Sequence, residues 1–442
     1  MIYYFLIIFL SLAFSIWSGN WSNLFLSISF FLIGRGIIHL FSSSSDKRVY
    51  GKIFSISFLS CFVYAIICFI YMKYHNYEYL LTTDTITSYV PQVSELTNYS
   101  WNQIIDTVLF SDNLYYRHSG IILFYWTFVS KISSLFDSEI YFNLQISVFF
   151  LSSFIPVFLY RILKQHNIPS AHNYALTYFF FSVVFYYSTL ILRDAPIALL
   201  YVIAFSYYSD NFWKKTIVFI ITATLVYFIR PQMGAFLCLF YICSFIPDRS
   251  NRNAIQLISL LVAFIAVLFV YIRIDIFDAL AEQELYDEKI IENAQNATLY
   301  IFNDLPVFVR EFCMAVYIHL SPIPCWSFMG LTILNETNNF MSFPRMIAVL
   351  YNFIVLVFIA YGIPIIKGYL PRLKDRALLY GSFLFLMLQV SSTEQRRLMI
   401  CYPILFLFAS LVYQKLSIPR RRFLFFVSLS LFFIFQFIGV MK

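Results

Sequence analysis

Charge is scarce in this chain: Asp, Glu, Lys and Arg supply 12% of its 442 residues, against 61% hydrophobic. That leaves too little polar surface for a soluble globule, in which about a quarter of residues are charged. There is no Walker loop, GxGxxG, HExxH, CxxC or zinc-type cluster, which excludes nucleotide and metal sites of those kinds. Nor is there an Asp-x-Asp pair of the sort that holds a nucleotide-sugar diphosphate through a divalent metal. No metal and no cofactor is expected. Cysteine is limited to seven, and Cys61, Cys68, Cys238, Cys243 and Cys401 fall inside apolar segments. Cys313 and Cys325 share a loop, where two free thiols are expected instead of a bridge. Residues 1–17 are apolar from the second position, without a basic start or a small-residue cleavage site. That predicts a retained first span, not a removed leader.

What is abundant is apolar length. Runs of roughly 15–20 apolar residues recur, the mean hydropathy is +0.76, and Phe (53) and Tyr (34) suit lipid-facing and interfacial surfaces. The pattern predicts an all-α, polytopic integral membrane protein, a single transmembrane domain over 1–442 with roughly 12–14 transmembrane helices. Spans are expected at 2–17, 23–41, 53–72, 141–160, 174–191, 196–209, 216–229, 231–246, 254–272, 343–365, 377–390, 398–413 and 423–440. The stretch 216–246 also reads as one long element kinked at Arg230-Pro231. Two large outer loops remain, 73–140 and 273–342. Within the first, 119–135 is expected to be a re-entrant or interfacial helix. Within the second, a polar helix is expected over 276–296.

Basic residues fix the sidedness. Loops at 47–52, 161–164, 214–215, 249–252, 367–376 and 415–422 hold 17 of the 30 Lys+Arg residues. The positive-inside rule puts these loops in the cytoplasm. They account for the net charge of +7, which therefore implies topology and anionic-lipid contact, not nucleic acid. Three arginine sites run against that orientation: Arg193-Asp194, Arg230-Pro231 and Glu394-Gln395-Arg396-Arg397. Two expected spans separate the first from the second and four the second from the third, so all emerge on one outer face. Singly, each reads as a turn ion pair, a snorkelling arginine or a polar hairpin. Jointly they read as an anion site, because cations against orientation are expensive and guanidinium grips phosphate oxygens bidentately. Candidates for proton transfer are less distinct. Asp84, just past the third span and followed by Tyr89, could act as general base. His118, beside Arg117 at the head of 119–135, could do the same or bind phosphate, and His319 comes third. For each, an ordinary surface residue is the competing reading.

The order of these features resembles the Wzy and EpsG-like polysaccharide polymerases of bacterial envelopes, which are polytopic, aromatic-rich and of similar length. The matching residues are Asp84 with Tyr89, Leu192-Arg193-Asp194, Ile229-Arg230-Pro231, and Glu394-x-Arg396-Arg397 before a Tyr402-Pro403 span. The layout also overlaps the wider GT-C class of lipid-dependent glycosyltransferases, in which an early outer-loop Asp is the catalytic base. The resemblance implies an enzyme of the bacterial inner membrane with its active site facing the periplasm. It would join undecaprenyl-diphosphate-linked oligosaccharide units into O-antigen or capsular polysaccharide, with a flippase and a chain-length regulator as companions. On that reading Asp84, His118, Arg193 and Arg230 serve catalysis. Arg117, Asp194, Glu394, Arg396, Arg397 and Tyr402 bind substrate. Two other readings stand beside it: a GT-C transferase moving one sugar from a polyprenyl monophosphate, and a flippase or transporter of lipid-linked glycans. A transporter should show paired halves and charges near the bilayer midplane. Boundary charges without paired halves favour an enzyme.

Overall fold

The computed structural model describes residues 2–41, 46–75, 89–110, 119–136, 140–246, 305–321, 323–329, 340–389 and 395–440. The described residues are helical and contain no strand. In order they form α1 (Ile2–Ser18), α2 (Trp21–Phe41), α3 (Lys47–His75), α4 (Val90–Thr97), α5 (Gly120–Ser133), α6 (Tyr141–Ser152), α7 (Ile155–Gln165), α8 (Ala171–Phe181) and α9 (Val183–Tyr187). Then follow α10 (Asp194–Ser206), α11 (Phe212–Ile229), α12 (Pro231–Cys243), α13 (Val307–Leu320), α14 (Phe343–Gly362), α15 (Leu373–Gln389), α16 (Leu398–Lys415) and α17 (Ile418–Val440). Six stretches are long and apolar enough to cross a membrane: Trp21–Phe41, Lys47–His75, Tyr141–Gln165, Phe212–Ile229, Phe343–Tyr369 and Gln395–Lys415. The expected span 254–272 and the polar helix 276–296 lie outside the described residues.

The outer surface is oily. On α17, Phe423, Phe426 and Phe437 are 66%, 65% and 63% exposed, and α11 turns out Ile217, Ile220 and Ile221. Such a surface needs an apolar solvent around it. The interior is dense by contrast. Buried positions make up 89% of the apolar window in Tyr141–Gln165 and 83% in Gln395–Lys415, and α10 packs against both. Lipid is as apolar as leucine, so helices in it associate by close packing and small polar bonds. Ser27 donates to Ser11 at 2.6 Å, and Asn143 to Ser22 at 2.7 Å. Gly362 lets α14 press against α16, because a Cβ there would collide with Val412 and Phe408.

Several expected spans are broken. The run 174–191 is not one helix: it is interrupted at Ser182, whose extended backbone starts α9 and whose hydroxyl accepts from Val184 N at 3.3 Å. Residues 188–193 then leave the helix, with 188–192 all buried. Irregular backbone at membrane depth survives only where protein covers it. Here Gln145 Nε2 donates to Thr189 O at 2.8 Å. The run 141–160 is kinked before Pro156 into α6 and α7, and 216–246 breaks into α11 and α12 at Arg230. The stretch 119–135 forms α5, packed on α4, α6 and α11, with Trp126 fully buried. Within the second expected loop, α13 packs on α14 and α15 and buries Ile318 and His319.

Five of the six basic loops fall on described residues, and side-chain bonds link them in a chain. Lys164 pairs with Asp46 at 2.7 Å, and Arg161 with Asp210 at 2.7 Å. The Tyr208 hydroxyl donates to Lys374 O at 3.0 Å, and Lys415 donates to Gly368 O. One end of the bundle is therefore basic, as the positive-inside pattern requires of a single face.

Candidate functional site

Three segments far apart in sequence meet at the opposite end. The first is the start of α10. Pro196 sits in its first turn, where a missing N–H costs nothing, and Asp194 stands at the positive pole of the helix dipole. The second is the corner between α11 and α12. Pro231 ends α11 by forcing Arg230 to extended backbone (φ −158°, ψ 102°), while Arg230 N still reaches Val226 O at 2.7 Å. Gly234 closes the corner: a Cβ there would lie 2.9 Å from Tyr227 Cα. From α10, the buried Tyr201 hydroxyl donates to Met233 O at 2.6 Å and pins the corner to the core. The third is the turn Gln395–Arg397, which leads into α16 and is anchored by Gln395 Nε2 donating to Ser321 O at 2.6 Å.

These segments bring four guanidinium groups around one carboxylate. Arg396 Nη1 lies 3.7 Å from Asp194 Oδ2, with the two side chains 13% and 4% exposed. Arg397, Arg230 and Arg193 follow in the strength of their electrostatic effect on Asp194. Arg230 meets the other three as like charges and Asp194 as its opposite. Asp194 Oδ1 has no hydrogen-bond partner among the described residues. Arg193 Nη1 donates to Ser119 Oγ at 3.2 Å, which ties the head of α5 to the cluster. One carboxylate cannot neutralise four cations, so the site keeps an excess of positive charge suited to a multiply charged anion.

The depth of the site follows from helix lengths. At 1.5 Å per residue, α10 spans about 20 Å and α11 and α16 about 27 Å each between the basic end and the arginines. A hydrocarbon core is about 30 Å thick, so helices of these lengths, entering a bilayer at the basic end, would carry the cluster close to its far boundary.

Of the residues singled out from sequence, Arg193, Asp194, Arg230, Arg396 and Arg397 are brought together. Tyr402 is near but enclosed in the floor beneath them. It is fully buried, its ring 6.2 Å from Tyr178 and 5.6 Å from His319. Asp84, Arg117, His118 and Glu394 lie outside the described residues. One residue bonded to the cluster, Ser119, and one cation on an element that packs against it, Arg345, went unremarked in the sequence. Ser119 gave no sign there. Arg345 was legible by the same rule as Arg230, since it stands at the end of a span away from the basic loops. Its guanidinium lies 5.3 Å from the Tyr186 ring and 5.8 Å from the Tyr187 ring, and α9, which carries both, packs on the Gln395–Arg397 turn. No group of three His, Cys, Asp or Glu side chains among the described residues could hold a metal. All seven cysteines are free, Cys313 and Cys325 included. No family model matches the chain, and no curated protein or solved structure matches it.

Proposed function

We propose that this protein is a polysaccharide polymerase that joins glycan repeat units carried on a polyprenyl diphosphate at the extracytoplasmic face of a bacterial inner membrane. The observation that carries the reading is the convergence of Arg193, Arg230, Arg396 and Arg397 on Asp194, at the end away from the basic loops. A diphosphate leaving group gathers negative charge as the glycosidic bond breaks, and fixed guanidinium groups aimed at that charge lower the barrier without a metal. A lipid-anchored substrate explains why the cluster sits at a bilayer boundary. Asp194 holds the arginines together while the site is empty. It leaves them in excess when the diphosphate arrives.

The test uses the purified full-length protein in nanodiscs with lipid-linked oligosaccharide extracted from the cells that make it. Arg193→Ala or Arg230→Ala should each raise the barrier by about 2–4 kcal/mol, roughly 30- to 1000-fold in rate, with normal protein abundance. The Lys variants should recover part of the activity, since they keep the charge and lose the fork. Wild-type chain length from Arg230→Ala would remove that arginine from the site. A product extended by a single sugar would point instead to a monosaccharide transferase.

A further inference from the structure

His319 lies in the last turn of α13 and is 3% exposed. Its Nδ1 is 2.7 Å from the Ala315 carbonyl oxygen. A carbonyl oxygen can only accept, so the proton sits on Nδ1 and the lone pair of the neutral ring is on Nε2. Nε2 is buried and has no hydrogen-bond partner among the described residues. The ring faces Tyr402, whose hydroxyl lies 3.5 Å from Asn352 O. Asn352 is fully buried with both amide atoms unsatisfied, and the hydroxyl of Tyr351 is unsatisfied too. Apolar side chains would fill this place without that desolvation cost. A layer of polar groups with unused bonding capacity is what proton transfer needs.

The layer lies directly under the arginines. Ser321, which accepts from Gln395 beside Arg396, is two residues beyond His319. Tyr402 follows Arg397 by five residues, about 7.5 Å along the helix.

We propose that His319 Nε2 is the proton acceptor of the transfer reaction, an assignment that rests on the polymerase reading above. The acceptor sugar's hydroxyl oxygen bonds to the anomeric carbon of the donor glycan. The bond from that carbon to the lipid diphosphate oxygen breaks, and its electron pair leaves with the diphosphate. The hydroxyl proton passes inward through the buried polar layer to Nε2, and the imidazolium then returns it by the same route to the released diphosphate. Ala315 O holds the ring in the tautomer that can receive the proton.

His319→Asn separates this role from packing, because its Nδ2 takes the place of Nδ1 toward Ala315 O and nothing replaces Nε2. In the nanodisc assay its kcat should fall about 100-fold or more, as for loss of a general base. KM for the lipid-linked oligosaccharide, and affinity for undecaprenyl diphosphate alone, should stay within about twofold. His319→Gln, which puts a polar but non-basic atom near the Nε2 position, should be equally slow, and it carries the test if the Asn variant does not fold. Wild-type kcat in either variant overturns the assignment and leaves the arginine site standing. So does a loss of undecaprenyl diphosphate affinity parallel to the loss of kcat, which marks His319 as structural. If the wild-type protein itself binds no undecaprenyl diphosphate, the polymerase reading fails first.

Discussion

Asp194 has the most to lose at the scale of single residues. Its carboxylate is 4% exposed and is the counter-ion of Arg193, Arg230, Arg396 and Arg397. Asp194→Ala leaves four guanidinium groups facing one another in a half-dry site, and removing one partner from a buried ionic group typically costs about 3–5 kcal/mol. The expected outcome is a clear drop in the thermal unfolding temperature in detergent, larger than for Arg396→Ala. A double-mutant cycle on Asp194 and Arg396 should return a coupling of about 0.5–3 kcal/mol, since the two are in contact and share neighbours. Additive effects would mean that the 3.7 Å approach carries no energy. Each arginine was visible in the sequence as a cation on the wrong side for its topology. The carboxylate that gathers them was visible only as the neighbour of one.

The α11–α12 corner carries its prediction at the scale of elements. Arg230 is aimed by three things: Pro231, the Gly234 contact with Tyr227, and the Tyr201 bond to Met233 O. Gly234→Ala must push apart two backbones, which typically costs about 1–3 kcal/mol of overpacking. On the polymerase reading proposed above, polymer length should fall in the same variant, because the arginine moves with the corner. Tyr201→Phe should lose about 1 kcal/mol of stability with a smaller loss of activity. If Gly234→Ala matches the wild type in both measurements, the corner does not set the position of Arg230. This corner was legible, because an Arg-Pro step after an unbroken apolar run ends a helix by known sterics. The break at Ser182 was not. Residues 174–191 contain no Pro or Gly, and what unwinds the chain beyond Tyr187 includes a donor from another helix, Gln145. Nor was the burial of His319 legible: α13 lies in a stretch too polar to read as a span, and its place is set by α14 and α15.

For the molecule as a whole, the separation of charge is the feature to measure. In a background where the seven cysteines are replaced, single cysteines at 47, 214, 372 and 420 should be shielded from an impermeant maleimide in intact cells. Cysteines at 193, 230 and 396 should react. Labelling of 214 or 372 without 193 or 396 would reverse the orientation and move the site to the cytoplasm. The basic end was readable from charge alone, because the sequence rule and the linked loops describe the same physical asymmetry. The boundary position of the arginines was readable from the span ends, but their convergence on Asp194 was not, since it depends on how α10, α11 and α16 pack.

The distance in sequence between the parts of the arginine cluster also governs how the protein is made. A ribosome delivers Asp194 with Arg193, reaches Arg230 soon afterwards, and must translate about 200 residues before Arg396 emerges, roughly 10–40 s at 5–20 residues per second. During that interval Asp194 has only Arg193 and Arg230 to offset it, and the contact with Arg396 is still unmade. A nascent chain arrested before residue 396 should be held or degraded at that stage, so the same ion pair that shapes the finished site would mark the finished chain as ready for release.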